Sequence, residues 1–315
     1  FSFEIKKKLS NLGYKKNPRN IERKLIQMFI KNINDKSIGS IKYNLNKIEV
    51  LNQLHKGKIY NDDFNLLSIR KIIKNLKTYG IIPFSILARH GFIAKDLLLS
   101  LKDSSVMNER DVENFMRSFS TVTTDFLNDQ VYLKKNQISY KDFIKKYGHL
   151  RAGTYDIKSH NYSRMNKKLL FNDEAKSIVK HKKFVLSPIK KRNIQKLLKE
   201  KKIEISVNQL FEYFESSMKS REYAKFIFTK GINTILEKIT NFAQKKKIKI
   251  SEIENLTLEQ LMQLSKSSKK IIKKEIEKNL KDSKLNKMMK LPEIVVEKEN
   301  AYVGASVVSI PNFVT

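Results

Sequence analysis

The sequence predicts a mostly α-helical fold of many helices, with short extended segments at both ends. Residues that break helices are few, with five Pro and nine Gly in 315 residues. Leu, Ile, Lys, Asn and Glu dominate the composition, and apolar residues recur at helical spacing along most of the chain. A hydrophobic content of 40% is sufficient for a real core. We therefore expect helices joined by short loops.

The first half of the chain is predicted to consist of amphipathic helices. A strand-like piece at 1–5 is followed by Gly13 and Pro18, which interrupt the pattern. Apolar spacing then predicts helices from Ile21, over 41–54, over 67–76 up to Gly80, over 83–101, over 112–133, and from Ser139 to Gly148. Gly91 lies inside the most apolar of these helices, which indicates that a helix or a ligand packs closely against it.

The second half begins with a long polar segment, residues 157–183, which we interpret as an excursion that can act as a mobile flap. Helices are predicted over 188–198, 206–214 and 220–231, and two small helices around Leu258 and Ile272. From Pro292 the chain becomes extended and apolar, which is typical of the entry to another unit.

Composition excludes several classes of function. The chain has no Cys, so a disulfide framework, a thiolate metal site and a cysteine nucleophile are impossible, and a reducing cytoplasm is the expected location. No apolar run approaches the roughly 18 residues that span a bilayer, so no membrane partner is expected. The five His lack metal-ligand spacing, and no phosphate loop, HExxH or GxSxG occurs, so this chain is predicted to bind neither metal nor cofactor.

The net charge of +32 suggests nucleic acid as a partner, but the type of basic residue argues against it. Of the 64 basic residues only ten are Arg, and the lysines are scattered over nearly every polar face. Arg forks and aromatic platforms, which dedicated nucleic-acid proteins use, are not evident. A non-specific polyanion or nucleic-acid binder therefore stays only as an alternative.

The scarcity of Arg makes its positions informative. Arg89, Arg117, Arg151 and Arg221 each have aromatic, Gly or acidic neighbours. A planar guanidinium binds carboxylate or phosphate in bidentate fashion, which Lys cannot do. These arginines are predicted either to contact a ligand or to form buried ion pairs, and the sequence leaves both interpretations open.

Residues 147–157, Tyr-Gly-His-Leu-Arg-Ala-Gly-Thr-Tyr-Asp-Ile, are the stretch densest in chemical groups. Two glycines shape a loop that carries an imidazole, a guanidinium, a phenol and a carboxylate, which is the inventory of a polar binding site. A buried polar staple that ties helices together is the alternative. The predicted substrate-binding residues are Arg89, His149, Arg151, Thr154, Tyr155, Asp156, Arg221, Glu222 and Lys225.

Three segments carry a resemblance to a known family: Leu-Ala-Arg-His-Gly-Phe-Ile-Ala at 87–94, the stretch 147–157, and Arg-Glu-Tyr-Ala-Lys-Phe-Ile-Phe-Thr at 221–229. They resemble the middle region of phosphoenolpyruvate-synthase-like, pyruvate-phosphate-dikinase-related phosphotransferases, in the subgroup of bacterial capsule clusters. The resemblance covers residues 1–240 loosely and the three motifs closely. The family usually has Pro where Ala152 stands, so the loop is expected to be less rigid here.

The resemblance implies an ATP-dependent kinase in which a swivelling domain carries a phosphohistidine between an ATP-grasp domain and a helical acceptor domain. On this basis 1–18 is the tail of a preceding nucleotide-binding unit, 19–290 the acceptor domain, and 291–315 a linker toward the swivelling domain. ATP and Mg²⁺ would bind outside this chain, which alone would be inactive. The acceptor implied is L-glutamine, phosphorylated on its amide for capsular phosphoramidate.

The resemblance also implies roles for the predicted residues. Arg151 or Arg221 would bind the acceptor carboxylate or the transferring phosphoryl group. Asp156 or Glu222 would bind the ammonium group, and His149 or Tyr155 would orient the acceptor. The alternative to an acceptor domain is a helical interaction module in which the Arg-containing loops are structural.

Overall fold

The computed structural model describes residues 18–34, 38–61, 66–165 and 178–288. Of the chain, 74% is helical, and no β-strand occurs in the described ranges, which confirms the predicted mostly α-helical class. The extended segments predicted at both ends lie outside these ranges. The predicted limits between units, near residues 18 and 290, stay predictions.

The helices follow one another with short connections. In chain order they are α1 (Pro18–Asn34), α2 (Ile41–Leu54), α3 (Lys58–Asn61), α4 (Leu66–Asn75), α5 (Ile82–Asp103), α6 (Glu109–Met116), α7 (Val122–Lys134), α8 (Tyr140–Tyr147), α9 (Pro188–Glu200), α10 (Val207–Lys245), α11 (Ile250–Ile253), α12 (Leu258–Gln263) and α13 (Lys269–Met288). A π-helical segment, Leu76–Ile81, joins α4 to α5, and 3-10 turns occur at Tyr162–Arg164 and Leu264–Lys266.

The long helix α10 organises the fold. Its 39 residues give a length of roughly 58 Å. Ser206 and Gln209 form a capping box that starts it. The prediction of two separate helices over 206–214 and 220–231 was wrong, because the polar residues between them stay helical: Lys219 pairs with Glu215 one turn away at 2.6 Å.

Two other predicted boundaries were also wrong. The expected helix over 112–133 is divided into α6 and α7, because Thr121 and Thr124 form a capping box that starts a new helix. Gly80 does not end the preceding helix, since the π-helical segment that contains it continues directly into α5. A π-helical turn within a continuous helix changes which side chains face the core.

Four apolar clusters form the interior of the described part of the chain, and α10 takes part in all of them. Its N-terminal third packs with α5, α6 and α9, its middle with α2, α4 and α5, and its C-terminal part with α11, α12 and α13. A fourth cluster joins α7 to α8 around Phe143 and Tyr147, with Phe226 of α10 packed against it. Within the described residues, no helix is both long enough and apolar enough to cross a membrane.

Helices approach one another closely at Gly80, Gly91 and Gly231. A Cβ on Gly231 of α10 would lie 2.5 Å from Leu76 Cδ2 and 3.0 Å from His55 Nε2. A Cβ on Gly91 of α5 would lie 2.9 Å from Cδ of Arg221. The close neighbour that the sequence predicts at Gly91 is therefore the side chain of an arginine on α10.

Candidate functional site

The loop after α8 is closed on itself by backbone hydrogen bonds. The amide of Gly148 donates to the carbonyl of Ile144 at 2.7 Å, which ends the helix. Arg151 and Asn161 then form an isolated antiparallel bridge, and the amide of Tyr162 donates to the carbonyl of Leu150 at 2.8 Å. The segment between them projects as a compact loop, so part of the excursion predicted over 157–183 is anchored.

Arg151 fixes this loop to α10. Its Nη1 donates to the carbonyls of Asp156 and Ser159 at 3.3 and 3.0 Å. Its Nη2 donates to Asn233 Oδ1 at 2.6 Å and to Glu237 Oε1 at 3.0 Å. The four N–H groups of the two terminal nitrogens match these four acceptors. Arg151 is therefore both the centre of the loop and its attachment to the helix.

Asn161 and Arg164 extend the same network. The Asn161 amide donates to Asn233 at 3.0 Å and to Glu237 at 3.1 Å. Arg164 forms a second ion pair with Glu237. One carboxylate thus holds two guanidinium groups and an amide, and the loop, the 3-10 turn and α10 form one polar assembly.

Burial shapes the charge of this assembly. The Arg151 side chain is only 4% exposed, and burial lowers its pKa while Glu237 opposes the change. Nε of Arg151 is buried without a hydrogen-bond partner. Breaking a buried ion pair leaves an uncompensated charge, so the loop conformation depends on the contact with Glu237.

A cavity of about 270 Å³ lies between the loop and α10. Its lining comprises Arg151, Ile157, Lys158, Ser159, His160, Arg164, Glu237, Thr240, Gln244 and Ile250. Three cationic side chains and one carboxylate converge there. Lys158 reaches Glu254 at 2.9 Å across the rim, and His160 is exposed. The arrangement suits a small polar ligand that carries both a negative and a positive group.

A second cavity, of about 360 Å³, lies beside the first. Tyr155 and Asp156 line its loop side, and the rest is lined by apolar residues of α10 and the C-terminal helices together with Glu254. Tyr155 is 67% exposed, and Asp156 accepts a hydrogen bond from the amide of Lys158 at 2.8 Å. Thr154 is half-buried in the same loop.

His149 faces the interior and not the cavity. Its Nε2 lies 3.1 Å from the carbonyl of Phe226, and its ring packs edge-on against that phenyl ring. Burial, together with the charge of Lys230, lowers the pKa of His149 to about 4. A neutral buried imidazole that bonds a helix carbonyl ties the start of the loop to α10.

The remaining predicted residues lie elsewhere. Arg221 is twelve residues before Asn233 on α10, roughly 18 Å along the helix axis from the Arg151 assembly. Glu222 accepts hydrogen bonds from the amide and hydroxyl of Thr123 at 3.2 and 3.0 Å. Lys225 and Arg89 are exposed. The structure therefore does not bring these four residues to the loop cavity.

Sequence reasoning did not select the partners of Arg151. Asn161, Asn233 and Glu237 are ordinary polar residues in a chain rich in Asn and Lys, and nothing in their local sequence distinguishes them. Arg164 had one available signal, since it is among only ten arginines. Within the described ranges, no group of three or more His, Asp or Glu residues could hold a metal ion.

Comparison with known proteins adds no identification: the chain matches no protein-family model, no curated protein and no solved structure.

Proposed function

We propose that this chain is the acceptor-substrate domain of an ATP-dependent, dikinase-type phosphotransferase, and that the cavity beside Arg151 binds a small zwitterionic acceptor, with L-glutamine favoured. The observation that carries the proposal is the convergence of Arg164, Lys158 and Glu237 on one hollow of about 270 Å³. An amino acid presents a carboxylate and an ammonium group, which need a cation and an anion at the same site.

In this proposal the residues have distinct tasks. Arg164 and Lys158 bind the acceptor carboxylate while they keep their ion pairs with Glu237 and Glu254, because both reach the cavity with side chains that are 33% and 52% exposed. Glu237 binds the ammonium group. Arg151 acts through the loop, since its terminal nitrogens already bond four protein oxygens. Phosphoryl transfer depends mainly on positioning the acceptor relative to the phosphoryl group, and a loop fixed by Arg151 would hold the acceptor in place.

The phosphoryl group would come from a phosphohistidine on another domain. The amide nitrogen of the acceptor attacks phosphorus, the bond between phosphorus and the histidine breaks, and the amide loses a proton. His160 lines the cavity and can accept that proton. Glu237 is the only carboxylate among the described lining residues, which does not fit Mg²⁺, a cation that prefers several oxygen ligands. ATP and Mg²⁺ are therefore assigned to other domains.

One observation favours the second candidate function, a helical interaction module with structural loops. The terminal nitrogens of Arg151 and the carboxylate of Glu222 are bonded within the protein, as expected of staples. This module would bind no small molecule at the loop.

Calorimetric titration of the purified chain with L-glutamine, glutamate and several other amino acids distinguishes the two. The acceptor domain predicts saturable binding of one amino acid, weakened in Arg164→Gln and Lys158→Gln. Arg110→Gln, at an exposed arginine of α6, is the matched control and should bind normally. If no amino acid binds to the folded chain, or if all variants bind alike, the assignment of the cavity is wrong.

A further inference from the structure

The outer face of α5 exposes large apolar side chains. Ile82 is 50% exposed, Phe92 54% and Ile93 37%. Arg89 lies seven residues after Ile82, and Phe92 and Ile93 follow Arg89 by three and four residues. At this spacing all four side chains lie on one face of the helix, over roughly 16 Å of its length. The opposite face is the buried one, with Leu87, Gly91 and Ala94 among its members. The helix is thus apolar on both sides.

Arg221 extends this face from α10. Its stem crosses α5 at Gly91, and its guanidinium lies 4.8 Å from the centroid of the Phe92 ring. That distance is a cation–π contact, which orients the planar group. No carboxylate in the described part of the chain forms an ion pair with Arg89 or Arg221. Arg89 and Arg221 therefore lie beside exposed apolar side chains without an ion-pair partner among the described residues.

We propose that the α5 face, defined as Ile82, Arg89, Phe92, Ile93 and Arg221, binds an acidic amphipathic helix of a partner protein. Exposed aromatic and apolar side chains flanked by arginine are the composition of interface centres. A carboxylate is the group that a guanidinium fork binds in bidentate fashion, so the partner needs acidic residues beside its apolar ones.

The geometry selects a helix as the bound element. A straight stripe on a helix is buried by ridges-into-grooves packing against another helix. The described elements offer no strand edge to which an extended peptide could add.

Charge excludes a second copy of the same chain. Two α5 faces packed together would place four arginines in one interface, between molecules that each carry a net charge of +32. Asp96, exposed four residues after Phe92, lies on the same side, so the acidic residues of the partner helix are expected opposite Arg89 and Arg221 and away from Asp96.

The test uses the full chain and a labelled synthetic helical peptide with Leu at a, d and e positions and Glu at the flanking positions, followed by fluorescence anisotropy at moderate salt. Saturable binding is expected. It should weaken roughly tenfold in Phe92→Ser and in Arg221→Gln. Val185→Ser and Arg110→Gln, at an exposed apolar and an exposed basic position outside the face, should bind normally. A scrambled peptide of equal composition should bind weakly.

Several results would overturn the proposal. These are the absence of saturable binding, equal affinity in all variants, and equal binding of the scrambled peptide, which would mean non-specific charge attraction. Binding to phosphatidylserine-containing vesicles that depends on Phe92 while the peptide does not bind would assign the face to a lipid surface. Self-association in sedimentation that Phe92→Ser abolishes would assign it to a second copy. The loop cavity takes no part in any of these measurements.

Discussion

Two arginines attached to α10 show how differently one residue type is used. Arg151 reaches the C-terminal half of the helix from the loop, is 4% exposed in its side chain, and bonds two carbonyls, an amide and a carboxylate. Arg221 belongs to the N-terminal half, is half-buried, and lies on an exposed phenyl ring. Both arginines stand out in a lysine-rich chain. The two terminal nitrogens of Arg151 donate four hydrogen bonds within the protein, whereas the guanidinium of Arg221 contacts a phenyl ring.

This difference separates a structural task from a binding task. A guanidinium with all terminal N–H groups bonded to buried acceptors sets the shape of a site, because its removal strands those acceptors. A guanidinium that contacts the protein only through its aliphatic chain and an aromatic ring can still donate its N–H groups to a carboxylate.

The largest expected effect is on folding stability in Arg151→Lys. Lys keeps the charge but cannot reach four acceptors as a planar fork, so the carbonyl of Ser159 loses its donor and the carbonyl of Asp156 keeps only the amide of Ser159. We expect the free energy of unfolding to fall by about 3 kcal/mol, the cost of leaving hydrogen-bond partners without a donor. Arg221→Lys should cost less than about 1 kcal/mol. Urea denaturation measures both, and equal losses would remove the distinction between the two arginines.

The second expected effect is a pH dependence of the free energy of unfolding that arises from the buried histidines His55 and His149. His55 is buried with both ring nitrogens unpartnered, and burial, then the charges of Lys230 and His149, lowers its pKa from 6.5 to about 4. The unfolded chain therefore binds more protons between these values. The stability that neutral His55 contributes is complete above pH 6.5 and declines by ~1.4 kcal/mol per pH unit toward pH 4. His149 should behave alike.

The variant His55→Leu should reduce this pH dependence to the part that His149 contributes, and it should not lower stability at pH 7, because the lost imidazole has no hydrogen bond to lose. Val185→Ser, at an exposed position without a titratable group, should leave the slope unchanged. Unfolding free energies from pH 7 to 4.5 test this, and an unaltered slope in His55→Leu would show that His55 does not titrate as stated.

A smaller effect on the free energy of unfolding is expected at two closely packed glycines, Gly231 and Gly91. Gly231→Ala would place a methyl group 2.5 Å from a buried leucine carbon, and overpacking of this kind costs roughly 1–3 kcal/mol. Gly91→Ala meets the movable side chain of Arg221, and the gain in helix propensity of about 1 kcal/mol offsets the displacement. Gly91→Ala should therefore be nearly neutral. Chemical denaturation of the pair checks this, and a greater loss at Gly91 would contradict it.

The smallest effect is expected at Glu222, which caps the start of α7 through Thr123. Glu222→Ala should cost about 1 kcal/mol, the usual value of a lost cap. Glu212→Ala, at an exposed position on the same helix, is the control and should be neutral within error. No loss at Glu222 would mean that the contact to α7 does not stabilise the protein.

The sequence predicted the helical class and most helix starts, because caps and apolar spacing are local signals. Ser139 and Ser206 cap helices as expected. The errors had two causes. The capping box of Thr121 and Thr124, which divides the helix expected over 112–133, is a local signal that the prediction did not use. Residues 215–219 look polar enough for a break, but Ser217 and Ser220 are buried and the helix continues.

The candidate site was predictable only in part. Arg151 and the loop could be selected from composition and glycine content, whereas Glu237, 86 residues later, could not be paired with Arg151 without the fold. For the same reason, sequence spacing could not show that Arg89 and Arg221 lie away from the loop, although they were predicted to bind substrate together with loop residues. The distance between Arg221 and the loop is set by the positions of Arg221 and of the loop's partners, Asn233 and Glu237, along α10.

The most direct test of the account is calorimetry of L-glutamine binding to the chain and to two variants, Arg164→Gln and Arg221→Gln. The account predicts saturable binding to the unmodified chain, strongly weakened in Arg164→Gln and unchanged in Arg221→Gln, because only Arg164 lines the cavity. Binding that survives in Arg164→Gln and is lost in Arg221→Gln would place the acceptor at the α5 face, and would contradict both the proposed cavity and the contrast between the two regions.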